Sequence, residues 1–255
     1  NEFMNLEGQK ISGSRNWAVW GPDFLTRYDP DPLRYYLTVN MPESKDTDWD
    51  WEDFYKRNND ELVATWGNLA NRVLSFCYKH WEGVIPEPGE LTQLDQDLLR
   101  VVEAGFQSVS AEMEAVRLRA ALGEAMRLAG EVNKYLDQTA PWQAIKTDRQ
   151  AAARAIHTAI LAIDNLKLML APFIPFSSEK LHTFLGYDQP LFGQQVVETI
   201  IDDLGEHQAL RYYHEHNRDI WQTSQLKAGD KLNQPAPLFK KLDVSIIAEE
   251  RSRLG

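Results

Sequence analysis

The sequence predicts a mainly α fold, an antiparallel helical bundle preceded by a small mixed α/β segment. Three observations predict it. From residue 51 to about residue 185, apolar positions recur at the spacing of a helix face with little interruption. Proline and glycine clusters cut that span into long amphipathic pieces joined by loops, the pattern of a bundle. The first 50 residues differ, mixing extended pieces, glycine and proline turns and two short helices. These patterns divide the chain into a leading segment at 1–52, the bundle at 53–186 and an extension at 187–255 that wraps it.

With 255 residues, 43% hydrophobic and 25% charged, the chain has the composition of an ordinary soluble globular protein with a full core. No run approaches the roughly 18–20 apolar residues of a membrane span. The opening N-E-F-M-N-L-E-G-Q-K lacks the basic start and apolar centre of a secretory signal. A cytoplasmic protein with no membrane partner is expected. The single Cys77 excludes an internal disulfide and a cysteine zinc site, so no metal site is expected either. A formal charge of -11 argues against coating DNA or RNA by phosphate neutralisation, which takes many Lys and Arg contacts. A nucleic-acid partner would be held at a local basic patch by stacking and base-edge hydrogen bonds, as unpaired RNA loops are.

In the leading segment, extended pieces flank a turn at Glu7-Gly8-Gln9, followed by the loop K-I-S-G-S-R-N-W. Lys10, Ser12, Gly13 and Ser14 offer a cation and two hydroxyls, parts suited to phosphate, although such loops are also common as plain turns. Pro22 and Pro32 fall where first helical turns begin, with Asp23 and Asp31 near the helix N-termini. The second of these helices ends near Val39. Trp49 and Trp51, two apart, suggest a short extended piece with both indoles on one side.

The bundle opens with a helix through 61–81 that carries Leu62, Trp66, Leu69, Val73, Phe76 and His80 on its core side. A second stripe, Thr65, Asn68, Arg72, Ser75 and Lys79, is polar throughout. Asn68 and Arg72 stand one turn apart. They make either a solvated outer face or, with an amide and a planar donor fork, an edge that reads a nucleobase. Thr92 caps a helix over about 93–113 with Leu94, Leu98, Val101, Val102 and Phe106 inward. A third helix covers about 115–137 and leads through Gln138-Thr139-Ala140 to Pro141-Trp142. Trp142 follows a proline at a helix terminus, where an indole is either a core corner or held rigid and partly exposed. A fourth helix spans about 149–170 and stops at Pro172 and Pro175. Ser177 or Ser178 caps a short fifth helix that ends at Gly186. Beyond it, L-K-A-G-D-K-L-N-Q-P-A-P-L-F-K-K-L-D wraps the bundle, and 244–254 can form a polar amphipathic helix.

Taken together, four of these stretches resemble one family in order and spacing. K-I-S-G-S-R-N at 10–16 resembles the K-M-S-K-S loop of class I aminoacyl-tRNA synthetases, and G-P-D-F-L-T-R-Y-D-P-D-P-L-R-Y-Y-L resembles the helix pair after it. N-L-A-N-R at 68–72 and Q-T-A-P-W at 138–142 are similar to the anticodon-reading elements of methionyl-tRNA synthetases. P-A-P-L-F-K-K-L-D is similar to the end of the same enzyme's common body. The resemblance covers nearly the whole chain. It implies a class Ia anticodon-binding bundle in which Asn68, Arg72, Pro141 and Trp142 recognise the C-A-U anticodon of methionine tRNA. It also implies that 1–52 is the end of a catalytic domain with a stem-contact segment.

By the same resemblance, Lys10, Ser12, Gly13 and Ser14 belong to a mobile loop that closes over ATP, with Mg, during methionine activation in the full-length enzyme. The sequence departs from the pattern there, because Gly13 stands where the family places a lysine. Arg15 is the nearest candidate to compensate. Neither an H-I-G-H-like segment nor a nucleotide-binding α/β region precedes Lys10, so a fragment that does not aminoacylate alone is expected. Two alternatives are another class Ia enzyme (leucyl, valyl or isoleucyl) and a non-catalytic helical RNA-binding module. A helical scaffold for protein partners is a third.

Overall fold

The computed structural model describes residues 2–214 and 221–255 and is mainly helical, with two small sheets among the described residues. Its buried side chains gather in two cores. The smaller holds Leu6, Phe24, Tyr36, Trp49, Trp51, Phe54 and Ile246. Strand β1 (Met4–Leu6) pairs in parallel with β2 (Thr47–Trp49), and Glu7 and Gly8 turn the chain with positive φ of 49° and 74°. Helices α1 (Gly21–Phe24) and α2 (Pro30–Val39) follow the loop at 10–16. The second opens on Pro30 rather than Pro32, because Pro30 takes the first helical position, where no N–H is needed. Trp49 and Trp51 share this core with centroids 5.2 Å apart, although Trp51 already begins α3 (Trp51–Lys56).

The expected single helix through residue 81 is interrupted. A π-helical stretch, Arg57–Gly67, joins α3 to α4 (Asn68–Trp81). The Asn68 N–H donates to the Val63 carbonyl five residues back, the wider π repeat. Buried Asn58 and Asn59 anchor this coil: their amides donate to the carbonyls of Lys240 and Leu242. Phe239 presses on Gly67, where a Cβ would come within 2.9 Å of its ring. Residues 239–242 of the proline-punctuated extension thus pack against this coil.

The larger core is assembled around α8 (Arg149–Leu170), in which every residue from 155 to 170 except Leu161 is buried. It is packed by α4, α5 (Gln93–Glu114), α6 (Leu118–Thr139), α7 (Pro141–Ala144) and α9 (Pro175–Phe184). Thr92 closes a capping box with Asp95 at the start of α5. Leu94 and Val101 are 40% and 42% exposed rather than inward, because the apolar stripe of α5 is wider than the face its neighbours cover. Helix α9 starts at Pro175 without a serine cap. Ser177 instead donates its N–H and its hydroxyl to the buried carboxylate of Asp31, both at 2.6 Å, which ties α9 to α2. Strands β3 (Gln194–Asp202) and β4 (Gly205–Tyr213) form an antiparallel hairpin that the periodicity did not separate from irregular chain. A short α10 (Ile246–Arg251) lies within the expected 244–254. Residues 215–220 of the extension lie outside the described residues. Among the described residues no helix is long and apolar enough to cross a membrane, and no group of three or more potential metal ligands occurs.

A buried polar knot fastens the extension to α8. Lys167 donates to Asp164 at 2.5 Å and to Nδ1 of His182 at 2.8 Å, which places the proton of the neutral ring on Nε2. Tyr187 and Ser224 donate to the other oxygen of Asp164. Burial, and then the charge of Lys167, push His182 down to about 4. Unfolded, His182 takes up a proton near its ordinary value of 6.5. The unfolded state therefore binds more protons between pH 6.5 and 4, and stability falls as pH is lowered through that window. Urea unfolding followed across it should show that fall. Lys167→Met strands a buried carboxylate and should cost roughly 3–5 kcal/mol by the same measurement at neutral pH.

Candidate nucleic-acid interface

The polar stripe of α4 does not simply face solvent. Arg72 turns towards α7, with its guanidinium carbon 4.6 Å from the ring centroid of Trp142. Its Nη2 donates to Oδ1 of Asn133 at 3.5 Å. Its Nε is buried and has no hydrogen-bond partner among the described residues. Asn133 is itself fixed, because its Nδ2 donates to the carbonyls of Thr65 (3.3 Å) and Ala129 (3.2 Å). One acceptor on α6 thus holds the guanidinium over the indole. Sequence reasoning missed Asn133, whose only signal is a polar residue beside Val132 on a helix side that is otherwise apolar.

Trp142 owes its position to the turn before it. Ala140 adopts a left-handed conformation at φ 40°, and the buried Pro141 starts α7 at once. The indole is half-buried, and Phe76 meets it edge-on at 5.0 Å and 86°. Phe76 in turn touches His80 at 4.3 Å. Arg149 extends the cluster: it lies 5.2 Å over Trp81 and donates to the His80 carbonyl at the end of α4. Burial, with Lys79 and Arg149 nearby, holds His80 below its ordinary value, so the ring is neutral near pH 7. Arg72 and Arg149 thus each lie over an indole, and the charge of Lys79 falls near His80.

Asn68 is placed differently. It is exposed and borders a cleft of about 130 Å³ with Asn71 and the Pro237–Phe239 strap. Among the described residues no hydrogen bond joins it to Arg72. The structure therefore brings Arg72, Pro141 and Trp142 together, and leaves Asn68 one turn away at the edge. The Lys10 loop belongs to the smaller core's lobe. Lys10, Gly13 and Ser14 are exposed and Ser12 is half-buried. The hydroxyls of Ser12 and Ser14 lie 3.3 Å apart. Ser12 and Trp17 exchange two backbone hydrogen bonds, and Asn16 donates to the Arg253 carbonyl, so the loop is braced at its far end. A Cβ at Gly13 would make only ordinary contact with Trp20 at 3.5 Å. Nothing in the backbone demands glycine there.

Family models and relatives place the chain as a whole. Residues 1–74 match the model of class I tRNA synthetases (M), and residues 85–215 match the anticodon-binding domain of methionyl-tRNA ligase. The methionine–tRNA ligase of Thermomicrobium roseum is 53% identical over the whole chain, and that of Roseiflexus castenholzii 47%. The chain spans 44% and 43% of their lengths. The Mycobacterium tuberculosis methionyl-tRNA synthetase bound by methionyl-adenylate shares the fold, with a TM-score of 0.78 at 22% identity over 93% of this chain and 43% of that one. These matches define a class I tRNA synthetase chain. Within that class, it belongs to the methionyl-tRNA synthetase family.

Asn133→Ala should cost about 1–2 kcal/mol in urea unfolding, since it removes the hydrogen bonds of a half-buried amide.

Proposed function

We propose that this chain is the tRNA-binding part of a methionine–tRNA ligase and reads the C-A-U anticodon of methionine tRNA. The observation that carries this reading is the clamp of Arg72 between Asn133 and Trp142, with a buried donor left unpaired. The clamp fixes a guanidinium fork beside a partly exposed indole before any ligand arrives, so little ordering is left for binding. A base stacks on the free part of Trp142, while Arg72 and Asn68 donate to base edges and Pro141 holds the indole in place. Stacking contributes ~1–3 kcal/mol per base, and a good bidentate base contact a similar ~1–3 kcal/mol of discrimination. Affinity of that size does not need a basic surface overall.

In this reading 1–52 is the end of the catalytic domain with its stem-contact segment, 53–186 is an antiparallel anticodon-binding bundle, and 187–255 is the extension that wraps it. The whole enzyme, in the cytoplasm, joins methionine to tRNA through methionyl-adenylate formed from ATP with Mg. Exposed Lys10 and the neighbouring hydroxyls of Ser12 and Ser14 suit a phosphate. They would stabilise charge developing on the phosphates as the loop closes. Arg15, whose side chain reaches the Lys10 carbonyl, supplies the second charge that Gly13 does not.

Trp142→Ala and Arg72→Ala should each weaken binding of an RNA hairpin with a C-A-U loop by ~1–3 kcal/mol, read by fluorescence anisotropy, with circular dichroism unchanged. Loss of helical signal would return these residues to a purely structural role. In the full-length enzyme, Lys10→Ala should slow adenylate formation in pyrophosphate exchange, whereas Gly13→Lys should fold normally.

A further inference from the structure

The β3–β4 hairpin stands apart from both cores. Its strands form a sheet of their own, and neither core takes a side chain from residues 194–213. Among the described residues, neither strand has a backbone hydrogen-bond partner on its outer side. A two-stranded ribbon with both edges in water is marginally stable, and a third strand or a packed face normally secures it. Each strand here has nine residues, and neither holds the proline or lysine that blunts an open edge. Val197, Thr199 and Ile201 share one face, with Leu210, Gln208 and Glu206 opposite them, and all six are exposed. Val197, Ile201 and Leu210 leave 62%, 80% and 66% of their surface in water.

RNA does not suit this surface. The hairpin carries Glu198, Asp202, Asp203 and Glu206 against a single arginine, Arg211, so phosphates are repelled. What suits an open edge is another strand. Five of the nine residues of β3 are β-branched, Val196, Val197, Thr199, Ile200 and Ile201. The strand is also complementary to itself. When β3 meets a second β3 antiparallel about a twofold axis at Thr199, Val197 falls opposite the copy's Ile201. In that register Glu198 faces the copy's Ile200 and Asp202 faces the copy's Val196, so no carboxylate lies directly opposite another. Centring on Glu198 sets Glu198 against itself, and centring on Ile200 sets it against Asp202; like charges disfavour both. Strand β4 has no such match: centred on Ala209, it sets Leu210 against Gln208 and Tyr212 against Glu206.

We propose that β3 is a self-pairing edge, through which two copies of this chain join their hairpins into one four-stranded antiparallel sheet. The outer backbone groups of β3 then find partners, and a marginal ribbon becomes the half of a secured sheet. On the exposed face, Leu210, Val197 and the copy's Ile201 come side by side, and the same three recur across the axis. One nine-residue edge falls well below the ~1,200 Å² of a stable interface. The dimer is therefore reversible, with a Kd in the micromolar range. It is independent of the anticodon reading.

The test uses the full-length protein in sedimentation equilibrium, from about 1 to about 200 µM. The wild type should pass from monomer to dimer over that range. Val197→Glu and Ile201→Lys, each alone, should raise the Kd about tenfold, because each spoils two Val–Ile pairs. An equal mixture of the two variants should return to within about threefold of the wild type, since the introduced glutamate then faces the introduced lysine. That rescue is specific to the Thr199 register. Gln208→Lys, which alters the same face on β4, should leave the Kd within about twofold. Circular dichroism and Tm should match the wild type throughout, because all three side chains are exposed. A wild type that stays monomeric would overturn the proposal and leave the edge to the rest of its own chain or to another protein. So would a dimer indifferent to Val197→Glu and Ile201→Lys, one weakened as much by Gln208→Lys, or a mixture that fails to recover.

Discussion

Burial of α8 is the constraint on which the rest depends. A helix apolar on nearly all sides has no solvent face and must be enclosed, so α4, α5, α6, α7 and α9 are arranged as its shell. The two charges it carries there, Asp164 and Lys167, are each 1% exposed and pair with one another. Their remaining capacity is taken up by His182, Tyr187 and Ser224. The same enclosure sets the far side of the molecule. Where α6 ends and α8 has yet to begin, the chain needs a sharp turn, and the left-handed Ala140 and Pro141 provide it. Trp142 is the first side chain after that turn, which is why it sits at the edge of the core with part of its ring uncovered.

The interface follows from how polar groups are handled at that edge. Asn133 satisfies a carbonyl of the π-helical stretch and one of its own helix, and it spends its remaining acceptor on Arg72. The guanidinium is thereby held over an indole with a donor to spare. Similar economy lets an acidic chain carry positively charged side chains around one cluster of rings. Most of its carboxylates are exposed or engaged in local pairs, while Arg72 and Arg149 lie over the rings of one aromatic cluster. Field at the site is local, and the net charge of -11 limits only non-specific association.

Much of this was legible in the sequence. Helical periodicity placed α8 at 149–170 without error, and Thr92 marked the start of α5. Arg72 and Trp142 stood out by the order and spacing of the stretches that carry them, which resemble one family; each alone left a solvated face or a core corner open. What the sequence hid was tertiary in origin. The π-helical stretch depends on Asn58 and Asn59 meeting a segment about 180 residues on, and no local pattern encodes that meeting. The hairpin at 194–213 alternates apolar and polar residues only loosely, and both of its faces are largely exposed. Ser177 looked like a cap because it lies near a helix start; its hydroxyl answers to Asp31 of α2, a partner 146 residues away. Asn68 looked inseparable from Arg72 at one-turn spacing, until Asn133 drew the guanidinium aside.

The most direct measurement of the central claim is loop discrimination by the chain itself. A labelled RNA hairpin carrying C-A-U would be titrated by fluorescence anisotropy at moderate salt beside one whose loop is changed and whose stem is identical. C-A-U should bind tighter by about tenfold or more, which corresponds to about 1.4 kcal/mol or more of base readout. Equal affinity for both loops, falling together as salt is raised, would contradict it and reduce the clamp to a generic RNA contact.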